Sequence, residues 1–247
     1  MNKISFYVNG NVEIITGTGM HEFPYHTHNC FMAGAILSGS GEFCINGKAS
    51  ALHKKDCYIV PSDTGISIKP IRDFSYITIC LKNELAAVLK KYKSDSYYFT
   101  GLSDHLLALV GKLQMQQIDE ISFTNEIVDM FGICPHADTA KSEYIIKAVQ
   151  YINESCKNKF DLNELAENVF LSKYYLIRVF KREMGITPKQ YHQQCKVRKL
   201  KSMIFEFPQS SIAYDLSFST QSHMDSVFKR YMGITLNDYI SSMKSVT

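Results

Sequence analysis

Nine residues are written twice in this chain. Residues 179–187 read VFKREMGIT and residues 227–235 read VFKRYMGIT, differing only at Glu183 and Tyr231. At this offset of 48, residues 171–191 and 219–239 agree at nine of 21 positions, eight of them in the repeat and the ninth at Tyr191 and Tyr239 beyond it. Each copy has a local cause. Phe180 and Phe228 fall on the inner face of an amphipathic helix. Lys181-Arg182 and Lys229-Arg230 lie near its end, where cations suit the helix dipole. Gly185 and Gly233 supply the left-handed residue that stops the helix. Thr187 and Thr235 then cap the next helix, with Pro188 at its first position. A good helix stop accounts for either copy alone. Two copies, with similar helices before them, constrain the C-terminal part to a duplicated helical unit.

A short helical pattern precedes each copy, LNELAENVF in the first and SSIAYDLSF in the second. A short helix, a tight turn and a longer basic helix make a helix-turn-helix. The spacing predicts one unit over about 161–184 and another over about 210–232. Asp161 and Glu164 are spaced as a capping box, with Leu162, Leu165, Ala166 and Val169 inward. Ser172 starts the longer helix, with Tyr175, Leu176, Val179 and Phe180 inward and Lys173, Arg178, Lys181 and Arg182 outward. Upstream, a helix over 142–156 places Tyr144, Ile145, Ala148, Val149 and Ile152 on one face. Between the units, PKQYHQQCKVRKLKSMIFEF reads as about eighteen helical residues ending at Pro208, a rod of roughly 27 Å. Successive major grooves on one face of B-DNA lie about 34 Å apart, so such a rod suits two readers in adjacent grooves.

The first part of the chain has another period. From Ile4 to about Leu81 it alternates in short stretches: GAILSGSGEFCING carries an Asn46-Gly47 hairpin signal, and DCYIVPSDTGISIKP and FSYITICL follow. Several short strands with tight turns predict a small barrel or sandwich. From Asn83, NELAAVLKKY, SDHLLALVGKLQMQ and the shorter FTNEIVDMF show helical spacing, with Ser103-Asp104 as an N-cap for the second. GICPHADTAKS, without a period, is the expected linker.

Charge divides the same way. Residues 141–247 hold sixteen Lys and Arg against ten Asp and Glu, and residues 1–140 hold eleven against fourteen. A basic half beside a mildly acidic one predicts a polyanionic partner for the former. Seven cysteines without a C-x-x-C pair predict reduced thiols. The longest apolar run, near 31–37, is too short to cross a bilayer. The N-terminus lacks the apolar core of a signal peptide, so a cytoplasmic protein with no membrane partner is expected.

The C-terminal hundred residues resemble the DNA-binding domain of the AraC/XylS family of bacterial transcription regulators. The family's second unit reads roughly I-A-x-x-x-G-F-x-x-x-S-x-F-x-x-x-F-K-x-x-x-G-x-T/S-P-x-x-Y. Ile212-Ala213, Phe218, Ser222, Met224, Phe228-Lys229, Gly233, Thr235 and Tyr239 stand at those positions. Ser217 replaces the turn glycine, Met224 the usual aromatic, and Leu236 the proline, making the second unit the less typical. The resemblance implies two helix-turn-helix units on a linking helix, double-stranded promoter DNA as ligand, RNA polymerase as partner, and activation as the commoner outcome. Carried over by position, Lys173, Tyr174, Ile177, Arg178, Lys181 and Arg182 would face DNA from the first unit. Gln221, Ser222, Asp225, Ser226, Lys229 and Arg230 would do so from the second. Arg178 is the candidate for a bidentate contact to guanine, Tyr174 and Ile177 for thymine methyls, and Asp225 for cytosine.

HTHN at 26–29, followed by GAILSGSGEFCING, resembles the start of the cupin barrel that many such regulators use as a sensor. His26 and His28 match two ligands of a metal cupin, but Met32 or Ala33 stands where the carboxylate belongs and GISI where the later His belongs. No metal, cofactor or nucleophile–His–acid catalytic set is therefore expected. His26 and His28 line a small-molecule effector pocket or serve as packing residues. Family members often dimerise through the segment corresponding to 83–130, so its apolar faces either form a homodimer contact or pack on the barrel.

These readings make an α+β protein of two domains. A cupin-like sensor and oligomerisation domain covers 1–131, with a barrel over about 4–81 and helices over about 83–131. A linker over 132–141 leads to an all-α DNA-binding domain over 142–247. Two alternatives stay open: a cupin-type metal enzyme or metal-binding protein with an appended DNA-binding domain, and a regulator controlled by abundance or a protein partner.

Overall fold

In the computed structural model the described residues are 3–90, 92–94, 96–135 and 142–244. The chain forms two compact units, one of residues 1–22, 28–138 and 241–247, the other of 23–27 and 139–240. Residues 136–141, most of the expected linker, lie outside the described residues.

The first unit is rich in strands: β1 (Lys3–Asn9), β2 (Val12–Thr18), then, past β3 (Phe23–Thr27, counted with the second unit), β4 (Phe31–Ile45), β5 (Lys48–His53), β6 (Cys57–Val60) and β7 (Gly65–Leu81). Helix α1 (Asn83–Leu89), the short strands β8 (Tyr92–Lys93) and β9 (Tyr98–Phe99), helices α2 (Ser103–Gln114) and α3 (Glu120–Met130), and strand β10 (Cys134–Pro135) complete it. The main antiparallel path runs β1-β2-β7-β4-β6-β9, with β5 added on β4. The early part of β4 lies between β7 and β6, and its later part between β7 and β5. The change falls where the β4–β7 register shifts, between Ile36 and Gly41. Gly39 sits at that bend with φ +71°, and a Cβ there would stand 1.9 Å from the Arg72 carbonyl oxygen. Only glycine fits such a site. The predicted hairpin is present: Asn46 and Gly47 take φ 50° and 76° between the paired Ile45 and Lys48.

Alternation along the strands gives the sheet two apolar faces. Ile14, Phe31, Ala33, Ile59 and Ile79 pack with Leu106, Leu109 and Leu113 of α2 and Phe123 and Ile127 of α3. Elsewhere the aromatic rings are in contact, Phe43 with Tyr58 at 5.0 Å and Phe74 with Tyr76 at 5.3 Å between centroids. Buried Glu13 is neutralised by Lys82 Nζ at 2.7 Å. Two helix starts differ from expectation. Helix α2 begins at Ser103 itself with Leu102 before it, and α3 is longer than its pattern because Asp119 accepts from the N–H groups of Ile121 and Ser122.

The second unit is helical: α4 (Glu143–Glu154), α5 (Leu162–Asn168), α6 (Lys173–Met184), α7 (Pro188–Met203), α8 (Gln209–Asp215), α9 (Gln221–Met232) and α10 (Leu236–Lys244). Its first core gathers Ile145, Ala148, Ile152, Leu165, Leu176, Phe180 and Tyr191. Two expected core residues are not buried. Tyr144, beside the Ile145–Ala148–Ile152 stripe, is 47% exposed, and Tyr175 is 41% exposed. The linking helix is also shorter than expected, sixteen residues or about 24 Å, because it stops at Met203 ahead of Phe207, which Pro208 disfavours in a helix. Among the described residues no helix is long and apolar enough to cross a membrane.

Replacing Gly39 by Ala should destabilise the first unit by more than about 1 kcal/mol, since the strained φ and the carbonyl clash act together. Urea unfolding followed by Tyr fluorescence checks this, with Gly111→Ala, whose added Cβ meets nothing within 4 Å, as the control.

Candidate nucleic-acid interface

Both helix-turn-helix units are built as the repeat demands. Ser172 caps α6 and Thr220 caps α9, each hydroxyl accepting from the N–H three residues on. Gly185 and Gly233 end these helices at φ 73° and 75°. Thr187 and Gln190 form a reciprocal capping box at the start of α7, and Thr235 and Asp238 bond in the same way at α10. The box expected at Asp161 is half realised: Asp161 accepts from the N–H groups of Asn163 and Glu164, while the Glu164 carboxylate meets the Tyr151 hydroxyl.

The repeat is also a packing unit. Phe180 meets Tyr191 edge-on at 5.8 Å, and Phe228 meets Tyr239 at 5.4 Å. Its single difference has a structural use. The Glu183 carboxylate accepts from the Ser142 N–H at 2.9 Å and from its hydroxyl, anchoring the start of α4. Burial alone would raise the pKa of Glu183, but these bonds and Arg182 hold it below the usual carboxylate value. Tyr231, in the other copy, meets the Gln194 side chain of α7.

The turns are where the copies part. Phe170 and Ser217 both take left-handed φ, 56° and 49°. From there α6 starts after two further residues and α9 after three, so the second turn is one residue longer. Ser217 therefore accepts the strain that glycine would avoid. Buried Lys196 of α7 reaches this turn, donating to the Ser217 carbonyl at 3.3 Å and lying 5.3 Å from the Phe218 ring. Burial lowers the Lys196 pKa. One turn back, burial and then Lys196 pull His192 down to about 4, so its imidazole is neutral against Phe160.

On α6 the predicted surface is continuous. Lys173, Tyr174, Arg178, Lys181 and Arg182 are exposed, Tyr174 at 86%, and Ile177 is half-buried. The Arg178 guanidinium lies 5.2 Å from the Tyr175 ring, which accounts for the exposure of Tyr175 and holds the cation outward. Arg182 is bound to Glu183 at 3.1 Å. On α9, Gln221, Ser222, Ser226, Lys229 and Arg230 are exposed, but several are committed locally. Gln221 donates to Gln209 of α8, and Ser226 donates back to the Ser222 carbonyl. Asp225 is half-buried, its enclosed Oδ1 has no hydrogen-bond partner among the described residues, and burial raises its pKa. The two faces are chemically unequal.

A helix-turn-helix domain family matches residues 165–242, covering both units and the helix between them. A helix-turn-helix transcriptional regulator of Bacillus subtilis, YbfI, is 24% identical over 227 residues, covering 83% of this chain and 82% of its own. The Msm operon regulatory protein of Streptococcus mutans is 22% identical, with 80% and 79% covered. Residues 165–242 form an AraC-type helix-turn-helix domain, and the chain is similar to bacterial transcription regulators over most of its length. Its whole-chain fold is shared with ToxT of Vibrio cholerae, at a TM-score of 0.64, 12% identity, and coverage of 100% of this chain and 98% of that one. The chain is a DNA-binding transcription regulator with an N-terminal β-rich domain and a C-terminal helical one.

The histidine candidates are not brought together as a ligand set. His26, on β3, is buried, with Nδ1 2.6 Å from the Pro24 carbonyl. His28 is half-buried, and its carbonyl accepts from Asp63. Among the described residues no group of three or more His, Cys, Asp or Glu is placed to hold a metal. Sequence reasoning missed the supports of the interface: Glu183 anchoring α4, and Lys196 and Gln194 inside the linking helix. Only the Glu183/Tyr231 difference hinted at them.

Two outcomes follow from this site. Ser217→Gly should stabilise the second unit by about 0.5–1 kcal/mol by removing left-handed strain while keeping the carbonyl that Lys196 holds, as thermal unfolding will show. A His held neutral when folded, but able to protonate once unfolded, favours the unfolded chain as pH falls from about 6.5 toward 4. His192→Gln should therefore flatten the loss of stability between those pH values, measured by urea titration against the parent chain.

Proposed function

We propose that the regulator reads two adjacent major grooves of promoter DNA with α6 and α9, the first helix supplying most of the affinity. The observation that carries this is the exposed Lys173, Tyr174, Arg178, Lys181 row on α6, against the locally bonded face of α9 with its half-buried Asp225. Arg178, already stacked on Tyr175, is the guanine reader. Lys173, Lys181, Lys229 and Arg230 neutralise phosphate, and Asp225 selects more than it attracts. Helix α7, about 24 Å long, sets the spacing.

The protein then acts by binding rather than by catalysis, as a cytoplasmic activator that contacts RNA polymerase. The proposed division of labour follows the predicted boundaries, sensing and dimerisation by 1–131 and DNA reading by 142–247. Exposed Met115 and Ile121 on the helical side of the first unit support a homodimer. A small-molecule effector is part of the proposal: a ToxT structure of the same fold is described as bound to an unsaturated fatty acid. His26 and His28 take packing roles in this reading, the His26 ring lying 2.6 Å from the Pro24 carbonyl.

Selection of bound fragments from a random DNA pool, followed by footprinting, tests the reading. Two protected stretches about one helical turn apart are expected, with affinity falling steeply as salt rises. Arg178→Ala should lose about 1–3 kcal/mol of specific binding and relax selectivity at one base pair, while Lys181→Ala should weaken all sequences alike. An Arg178→Ala protein with the parent affinity and footprint removes the assignment.

A further inference from the structure

The turns after α5 and α8 are closed by the same backbone bonds but carry side chains of different kinds. The Phe170 N–H donates to the Glu167 carbonyl at 3.1 Å, and the Leu171 N–H to the Ala166 carbonyl at 3.0 Å. In the second unit the Ser217 N–H donates to the Tyr214 carbonyl and the Phe218 N–H to the Ala213 carbonyl, both at 2.9 Å. Such a pair of bonds stops a helix around one left-handed residue, ordinarily glycine. Phe170 occupies that position at φ 56° and Ser217 at φ 49°. The apolar contact that accompanies this stop belongs to the following residue. Leu171 supplies it, packed against the first helical core.

Phe170 thus serves neither the stop nor the core. A left-handed backbone is least tolerable under a bulky side chain. The side chain is also 91% exposed, so its apolar surface is left in water. Glycine, or the serine of the second unit, would close the turn with less strain. Strain kept at such a place implies a use outside the fold. Phe170 lies two residues before the Ser172 cap of α6, and Tyr174, 86% exposed, lies two after it. Exposed aromatic side chains therefore stand on either side of the cap in the chain. Lys173, Arg178 and Lys181, all exposed, add positive charge on the same helix. A helix-turn-helix puts the N-terminal residues of its second helix against base edges in the major groove, where the apolar feature is the thymine methyl. An apolar protein surface would have to desolvate the cations as well as the rings. Duplex DNA suits both, with phosphate for the cations and thymine for the rings.

We propose that Phe170 is a further specificity-determining residue for DNA, its ring packing on a thymine methyl at the edge of the groove entered by α6. This rests on the reading of α6 as a DNA-facing helix, and adds to it an apolar contact delivered by the turn. The second unit, with Ser217 at the matching position, lacks that contact, which adds to the inequality of the two readers.

The test compares the full-length parent, Phe170→Gly, Phe170→Leu and Arg178→Ala on a duplex that the parent selects from a random pool. Each thymine of the duplex is replaced in turn by uracil, which lacks only the methyl group. Phe170→Gly should melt a few degrees higher, because glycine suits the left-handed position, yet bind about five- to tenfold more weakly. The parent should lose affinity at one thymine beside the base pair that Arg178→Ala relaxes. Phe170→Gly should be indifferent to uracil there, a coupling that a purely structural role would not produce. Phe170→Leu, still apolar, should recover part of both the affinity and the thymine preference. Retention of the parent's uracil profile by Phe170→Gly overturns the proposal, as does a parent indifferent to every uracil. A Phe170→Gly chain that keeps the profile but melts lower shows the ring serving the fold. One that keeps the profile but loses activation of a reporter carrying the site shows the ring serving a protein partner. If Arg178→Ala binds as the parent does, the reading of α6 itself fails. If Arg178→Ala weakens binding while Phe170→Gly changes nothing, only the role of Phe170 fails.

Discussion

Everything in the second unit depends on a helix that is buried yet polar. Along α7, Tyr191, Val197 and Leu200 are buried with His192, Gln194 and Lys196. A buried polar group without a partner costs about 1–3 kcal/mol, so specific partners matter here. Lys196 is met by the Ser217 carbonyl and the Phe218 ring, and Gln194 Oε1 by the N–H and hydroxyl of Thr27, while its buried Nε2 has no hydrogen-bond partner among the described residues. His192 stays neutral against Phe160. An apolar helix would tolerate sliding of whatever packs on it. This one ties the second turn to a particular side chain, which holds the second reading helix in a defined relation to the linker.

The duplication supplies the plan, and the differences between copies supply the function. Both copies carry the inward Phe, the cationic pair, the left-handed glycine and the capping threonine, because each must stop a helix and pack an aromatic on the next. The outward positions are free to differ. In the first copy they carry Lys173, Tyr174 and Arg178; in the second, Gln221, Ser222 and Ser226, with Gln221 and Ser226 bonded to neighbours on the protein. Phosphate attraction and base reading are thereby shared unequally between two similar scaffolds.

The fold was legible where local chemistry decides it. The Asn46-Gly47 hairpin, the Gly185 and Gly233 helix stops and the Ser172 cap all stand where residue type predicts. Differences came where spacing alone does not say what a side chain meets. Tyr175 has helical spacing for the core but turns out to carry Arg178. Asp225 reads as a surface carboxylate, yet its Oδ1 is enclosed. In the sequence His26 and His28 stay open between a pocket and packing, and only the fold shows the His26 Nδ1 beside the Pro24 carbonyl.

The sequence by itself determined the two-part architecture and the duplicated helix-turn-helix unit, since periodicity, caps and glycines act over a few residues and survive any packing. Tertiary structure alone decided which outward residues are available, because availability depends on partners distant in sequence. Lys196 lies 21 positions before the turn it holds, and Glu183 lies 41 after the helix start it anchors.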